Sequence, residues 1–109
     1  MSTFPSEDSV ADIAGKVIRN KLCACVNFTK IRSIFTWRGK LEDTQEFIVF
    51  FKTTSRSAKR LKSEIARLHP YEVPEIVELK LEAIASPYMS WLAKSSDGVP
   101  KKRHYPSKR

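Results

Sequence analysis

The stretch Phe47-Ile48-Val49-Phe50-Phe51 is apolar at five successive positions. Neighbouring side chains of a strand point to opposite faces of the sheet, so a run that is apolar at every position is typical of a strand covered on both sides. The stretch therefore predicts a strand that lies at the centre of a sheet or in an interface between subunits.

A second long strand is predicted immediately before this one. Residues 22–37 are rich in β-branched and aromatic side chains, which favour extended backbone. The sequence Arg-Gly-Lys at 38–40 predicts the turn between the two strands. Clean alternation is lost near Lys30, which predicts a bend or bulge there. Residues from about 22 to 54 thus predict a long hairpin.

Helices are predicted on both sides of the hairpin. The first has start signals at Pro5 and at Ser6 or Ser9. Its apolar stripe is Val10, Ile13, Ala14, Val17 and Ile18. The second is capped by Thr54 or Ser55 and ends where His69 precedes Pro70. Its stripe is Ala58, Leu61, Ile65 and Leu68.

Two further elements follow the second helix. Val77, Leu79 and Leu81 alternate with charged residues, which predicts a strand with one face in water. Ser86 and Pro87 predict the start of a short closing helix, because proline is favoured in a first turn.

This order of elements predicts an α+β domain, a ferredoxin-like β-α-β-β-α-β sandwich with a short C-terminal helix. The topology needs a leading strand, and only Met1–Phe4 are available for it. That strand is therefore short or truncated, or a neighbour fills the gap, and truncation is the favoured interpretation. The domain is predicted to span residues 1–96, with a basic, disordered tail at 97–109.

Composition excludes several classes of protein. A chain of 109 residues predicts one domain. It has no apolar run of the roughly 20 residues that cross a bilayer, and no visible signal peptide, so a cytoplasmic protein is expected.

The formal charge of +8 is concentrated in residues 101–109, which hold five of the 20 Lys and Arg. A solvated tail is the preferred interpretation, ahead of weak electrostatic binding to nucleic acid or an anionic surface.

Five segments in order resemble the motifs of the CutA family, the divalent-cation tolerance proteins. They are Cys23-Ala24-Cys25-Val26-Asn27, the segment from Ile34 to Glu42, Phe51-Lys52-Thr53-Thr54, the segment from His69 to Ile76, and Tyr88-Met89-Ser90-Trp91-Leu92. The resemblance covers residues 2–94. It implies a ferredoxin-like protomer, a tight homotrimer built around the two long strands, and a role linked to divalent metals, copper especially.

The resemblance also implies where copper would bind. Some bacterial members are described as using a cysteine at the end of the first strand and two adjacent histidines. The matching positions here are Ser2, Leu68 and His69, so only His69 agrees. The candidate ligands are then His69, Cys23 and Cys25. The alternatives are a helix-end residue that caps or hydrogen-bonds, and two free thiols buried in a strand.

A binding protein, rather than an enzyme, is predicted. Cys25 with His69 is the only nucleophile–base candidate near the fold, and the chain has no glycine-rich phosphate loop. The CutA family is similar in fold and trimeric build to the PII signalling proteins, which hold small ligands between subunits. Under that alternative Trp37, Lys52, Tyr71 and Glu75 line a cleft; otherwise they pack or form ion pairs in an interface.

Overall fold

A computed structural model of the chain describes residues 1–97. The N-terminal half contains β1 (Ser2–Phe4), α1 (Glu7–Arg19), β2 (Cys25–Trp37) and β3 (Lys40–Lys52). Two helices follow, α2 (Ser55–Leu68) and α3 (Ser86–Ser96). The predicted tail, apart from Asp97, lies outside the described residues. No helix among residues 1–97 is both long enough and apolar enough to cross a membrane.

The described strands form one antiparallel sheet in the order β1-β3-β2. β3 is central, which confirms the prediction made from residues 47–51. β2 pairs with β3 one residue to one from Cys25↔Lys52 to Trp37↔Lys40. The bulge predicted near Lys30 is therefore wrong: Lys30 pairs directly with Phe47, and its outward charge interrupts the apolar pattern without interrupting the ladder.

The helices begin at capping residues that the sequence marks. Ser6 caps α1, and its hydroxyl accepts from the backbone N–H of Ser9 while the Ser9 side chain bonds back to Ser6. Thr54 caps α2, which ends at His69 before Pro70. These signals are local, so sequence alone locates both helices.

α1 and α2 cover one face of the sheet and enclose the core. The buried residues are Phe4, Val10, Ile13, Val17, Leu22, Cys23, Val49, Leu61 and Ile65. On β3 the odd-numbered side chains face this core, with Val49 fully buried. Phe50 points to the opposite face and stays 40% exposed. The helices thus bury only one of the two apolar faces of β3.

The strand predicted at Val77–Leu81 is not formed. Ile76 makes an isolated bridge to Ser2, and Val77 exchanges two backbone hydrogen bonds with Met1, of 2.8 and 3.0 Å. This register leaves no residue of β1 opposite Glu78–Leu81, so the segment has strand-like alternation but no partner strand among residues 1–97. The ferredoxin-like arrangement is present with its fourth strand reduced to this bridge.

Candidate functional site

His69 ties the end of α2 to β1. Its Nδ1 accepts the backbone N–H of Tyr71 at 3.0 Å, so Nε2 carries the proton and donates to the carbonyl of Thr3 at 2.8 Å. Nε2 also lies 3.2 Å from the hydroxyl of Ser2, and the ring stacks on Phe4 at 4.2 Å between centroids. Burial lowers the pKa of His69, although the Thr3 carbonyl and Glu46 act in the opposite direction. The ring is a neutral structural connector.

Tyr71, two residues beyond, closes over Glu46. The phenol donates to Oε2 of Glu46 at 2.7 Å. Burial, followed by this bond and the negative charge of Glu46, raises the pKa of Tyr71, so the phenol keeps its proton. No salt bridge to Glu46 is present within residues 1–97. Within the described residues, the buried carboxylate of Glu46 is therefore hydrogen-bonded by the Tyr71 phenol.

An open groove of about 580 Å³ runs beside this pair, between the far half of the hairpin and the loop after α2. We call it the acidic groove. It is lined by Thr3, Phe35, Trp37, Glu42, Thr44, Glu46, Pro70, Tyr71, Glu72, Val73 and Glu75. Four of these residues are glutamates and three are aromatic, a combination that favours a cationic or neutral ligand over an anion.

A cation of the chain itself already lies at the rim of the acidic groove. The Arg38 guanidinium stacks 5.3 Å from the centroid of Trp37 and donates to Glu72 at 3.1 Å. Arg38 and Glu72 are largely exposed, so their ion pair adds little stability. The contact does show which chemistry this rim accommodates: a planar cation between an aromatic face and a carboxylate.

The four residues predicted to line a cleft do not all meet within one protomer. Trp37, Tyr71 and Glu75 line the acidic groove. Lys52 lies at the other end of the hairpin, with Nζ 5.9 Å from the ring centroid of Tyr88. It lines a second groove of about 700 Å³ between the end of β3, α2, α3 and residues 76–84. We call this second space the apolar groove.

The two cysteines differ sharply in their surroundings. Both are free thiols. Cys23 is fully buried, and burial, helped by the proximity of Cys25, raises its pKa to about 12, so it stays protonated. Cys25 opens β2 and is half-buried, with Sγ 3.7 Å from the side-chain oxygen of Asn27. Cys25 is therefore the more accessible soft donor.

Among residues 1–97 no three His, Cys, Asp or Glu side chains are grouped so that they could hold a metal ion. His69, Cys23 and Cys25 therefore do not form a ready-made metal site within one described protomer.

The sequence did not identify Glu46 and Glu42 as residues of the acidic groove. Both are even-numbered residues of β3, and they share a sheet face with Phe35 and Trp37 by the register of the hairpin. A charge directly before the apolar run at 47–51 was the available signal for Glu46.

Comparison with known proteins decides the family. The family model described as CutA1 divalent ion tolerance protein matches residues 1–95. The chain belongs to the CutA1 family. A curated CutA1-family relative, the divalent-cation tolerance protein CutA of Thermotoga maritima, is 42% identical over 94 residues, covering 86% of this chain and 93% of the relative.

Solved structures of CutA proteins share the fold. CutA1 from Pyrococcus horikoshii superposes with a TM-score of 0.86 at 29% identity, covering 89% of this chain and 95% of that one. A structure described as PII-like protein CutA from Nostoc sp. PCC 7120 in apo form gives a TM-score of 0.82 at 28% identity, covering 88% and 93%. These matches confirm the α+β ferredoxin-like fold predicted from the sequence.

Proposed function

We propose that the chain acts as a homotrimeric divalent-cation tolerance protein that binds copper through Cys25. The main support for the trimer is the long hairpin formed by β2 and β3. Its outer half extends past the two core helices and presents Ile34 at 59% and Leu41 at 75% exposure. Apolar side chains this exposed on adjoining strands are typical of a surface that another subunit covers.

Backbone groups support the same proposal. Among the described strands, the order of the sheet makes β2 an edge strand over all of its 13 residues. β1 pairs only with Phe47–Val49, so the outer half of β3 also has an unpaired edge within residues 1–97. Long open edges promote pairing with other chains, and a closed threefold ring removes them.

Sedimentation equilibrium at low micromolar concentration tests the assembly. We expect a mass three times the 12.5 kDa of the chain. Replacing both Ile34 and Leu41 by Gln should shift the mass towards one protomer, whereas Lys40→Gln, a polar exchange at the same hairpin tip, should not. A parent protein that sediments as one protomer would overturn the trimer.

Copper binding at Cys25 is proposed on accessibility. Thiolate sulfur is a soft ligand that favours Cu(I). Cys23 is enclosed in the core and protonated, and each ring nitrogen of His69 already has a partner in the chain. Cys25 is the first residue of β2, the edge strand that the proposed trimer would cover, so a neighbouring subunit would supply the further ligands.

Anaerobic calorimetric titration of the chelator-stripped protein with Cu(I) held by a competing ligand, and with Zn(II) and Ni(II), tests this site. Cys25→Ser should weaken copper binding at least about tenfold, while the matched Cys23→Ser should bind as the parent does. His69→Gln reports on the histidine separately. Equal copper affinity in Cys25→Ser and the parent would contradict the assignment, whatever the assembly mass is.

A second candidate function is a PII-like binding module that holds a small ligand in the acidic groove. Trp37, Tyr71 and Glu75 meet there, and its charge favours a cationic ligand. In a Trp91→Phe background, spermidine should change the fluorescence of Trp37 and ATP should not. Glu75→Gln should weaken that response, and Glu82→Gln, outside the groove, should leave it unchanged.

Both candidates are binding functions, and we propose no catalytic one. A base must present a free lone pair to its nucleophile. The Nδ1 lone pair of His69 is occupied by the Tyr71 N–H, and the proton on Nε2 by the Thr3 carbonyl.

The free thiols fit a reducing compartment, so the cytoplasm is the proposed location.

A further inference from the structure

Glu46 is a buried carboxylate with one open side. The residue is only 6% exposed, and its Oε2 accepts from the phenol of Tyr71. The other oxygen, Oε1, has no hydrogen bond within residues 1–97. In that part of the chain the hydroxyl of Ser96 is the one fully enclosed side-chain polar group without a partner. Oε1 of Glu46 is therefore not enclosed, and it opens into the acidic groove that Glu46 lines.

No cation of the chain compensates this carboxylate within residues 1–97. Each salt bridge there involves another acid, and the His69 ring, which is close enough to feel the charge of Glu46, is kept neutral by burial. A buried charge without a counter-charge is costly, so such groups are normally paired or bound to a metal ion. The same residues contain no group of three His, Cys, Asp or Glu side chains that could hold a metal. An organic cation from outside the protomer is therefore the counter-charge that fits Glu46.

Arg38 indicates which kind of cation the acidic groove accommodates. Its guanidinium lies 5.3 Å from the ring centroid of Trp37 and donates to Glu72 at 3.1 Å. A guanidinium is planar, stacks on aromatic rings and matches the two oxygens of a carboxylate, whereas an ammonium is a compact point charge. Arg38 reaches the rim from the hairpin turn, where its φ is 52°, and it bonds Glu72 rather than Glu46. The deeper carboxylate is thus left to a second planar cation.

We propose that the acidic groove binds a ligand through a guanidinium or amidinium group, with Glu46 as its buried counter-charge. One N–H of that group bonds Oε1 of Glu46 while Tyr71 keeps Oε2, and the plane of the group lies against an aromatic side chain of the groove. Arg38 carries the same group and competes with the ligand at the rim. The inference rests on the second candidate function, since it names the class of cation that the PII-like groove would hold.

Three probes of equal chain length test the charged group: butylguanidinium, butylammonium and the neutral planar analogue butylurea. Calorimetry measures their affinities, and Trp37 fluorescence in the Trp91→Phe background shows whether they enter the groove. Butylguanidinium should bind about tenfold more tightly than butylammonium, because only the planar cation both stacks on a ring and pairs with the carboxylate. Butylurea should not bind at the same concentrations, since it has the planar shape without the charge.

Variants of the groove locate the counter-charge. Glu46→Gln keeps an acceptor for Tyr71 and removes the charge, so it should weaken butylguanidinium binding about tenfold or more. Glu42→Gln, the matched control on the same face of β3, should weaken it about twofold at most, because water screens a less buried charge. Arg38→Gln should tighten butylguanidinium several-fold, and butylammonium less, because it vacates the ring of Trp37. This gain keeps the proposal testable even if Glu46→Gln does not fold.

The outcomes separate this inference from the function on which it rests. Equal affinities for butylguanidinium and butylammonium, or full affinity in Glu46→Gln, would overturn the guanidinium assignment, and an intact spermidine response would then leave the cationic groove standing. Loss of the spermidine response as well would overturn both. Acetylarginine amide distinguishes the source of the group: binding at least as tight as that of butylguanidinium indicates an arginine of a partner protein, and weaker binding a free small molecule.

Discussion

The phenol of Tyr71 donates a 2.7 Å hydrogen bond to Glu46, a glutamate that is only 6% exposed. The two residues lie 25 positions apart, and the bond fastens the loop after α2 onto the open face of β3. A hydrogen bond to a charged acceptor is stronger than a neutral one, and losing it strands a buried charge. This contact therefore holds two of the residues that line the acidic groove against each other.

Tyr71→Phe should lower the free energy of unfolding by about 1–3 kcal/mol, because the Glu46 carboxylate loses its partner. Urea unfolding measures the loss. In a double-mutant cycle, adding Glu46→Leu should recover part of it, since an apolar side chain needs no donor. Costs of Tyr71→Phe that are equal in the presence and absence of Glu46 would show that the bond contributes nothing.

The elements with local signals were predictable from the sequence. The caps at Ser6 and Thr54 and the apolar periodicity gave both core helices, and the run at residues 47–51 gave the central strand. The strand at Val77–Leu81 had the right alternation and still did not form. Alternation predicts which face is apolar, whereas pairing depends on a partner strand distant in sequence.

His69 should make stability depend on pH. Burial holds its folded-state pKa below the ordinary value of 6.5, so the unfolded chain binds the proton more tightly. The stability that the neutral His69 ring contributes is fully present above about pH 6.5. It is lost as the pH falls from that value to the lowered pKa of the folded state. Unfolding free energies measured from pH 7.5 to 5 should decline.

His69→Gln is the matched control, because it removes the titrating ring and keeps a polar side chain. The variant should be less stable than the parent at pH 7.5, yet lose less stability as the solution is acidified. Parallel pH profiles for the two proteins would contradict a role for His69 ionisation.

The candidate site was less predictable than the fold. The sequence identified Trp37, Tyr71 and Glu75, and the chain brings these three to one groove. It did not separate Lys52 from them. Trp37 pairs with Lys40 at the start of the 13-residue strand β3, whereas Lys52 is the last residue of that strand. Nor could spacing reveal that both nitrogens of His69 are occupied by backbone groups of β1 and its own loop.

Asp97 should stabilise the junction of α2 and α3. Its Oδ1 accepts from the hydroxyls of Thr54 at 2.6 Å and Ser57 at 2.7 Å, and the Thr54 bond is the main cause of its lowered pKa. The carboxylate also lies at the positive end of α2. Asp97→Ala should cost about 1–2 kcal/mol in thermal or urea unfolding.

Asp12→Ala is the control for that measurement. Asp12 forms an exposed pair with Lys16 one helical turn away, so its removal should cost only about 0.3–0.5 kcal/mol. Similar costs for the two variants would mean that the Asp97 contacts act as an ordinary surface interaction.

Two glycines should respond to alanine in opposite directions. Gly15 lies inside α1, where an added Cβ would meet only the end of the Arg19 side chain, 3.0 Å away, which can move. Gly15→Ala should therefore raise the unfolding free energy by about 0.5–1 kcal/mol, since alanine favours helix.

Gly39 has φ +79° at the hairpin turn, where nothing obstructs a Cβ but the backbone conformation itself disfavours one. Gly39→Ala should lower stability by about 1 kcal/mol, and a stabilising effect there would show that the turn relaxes to another conformation.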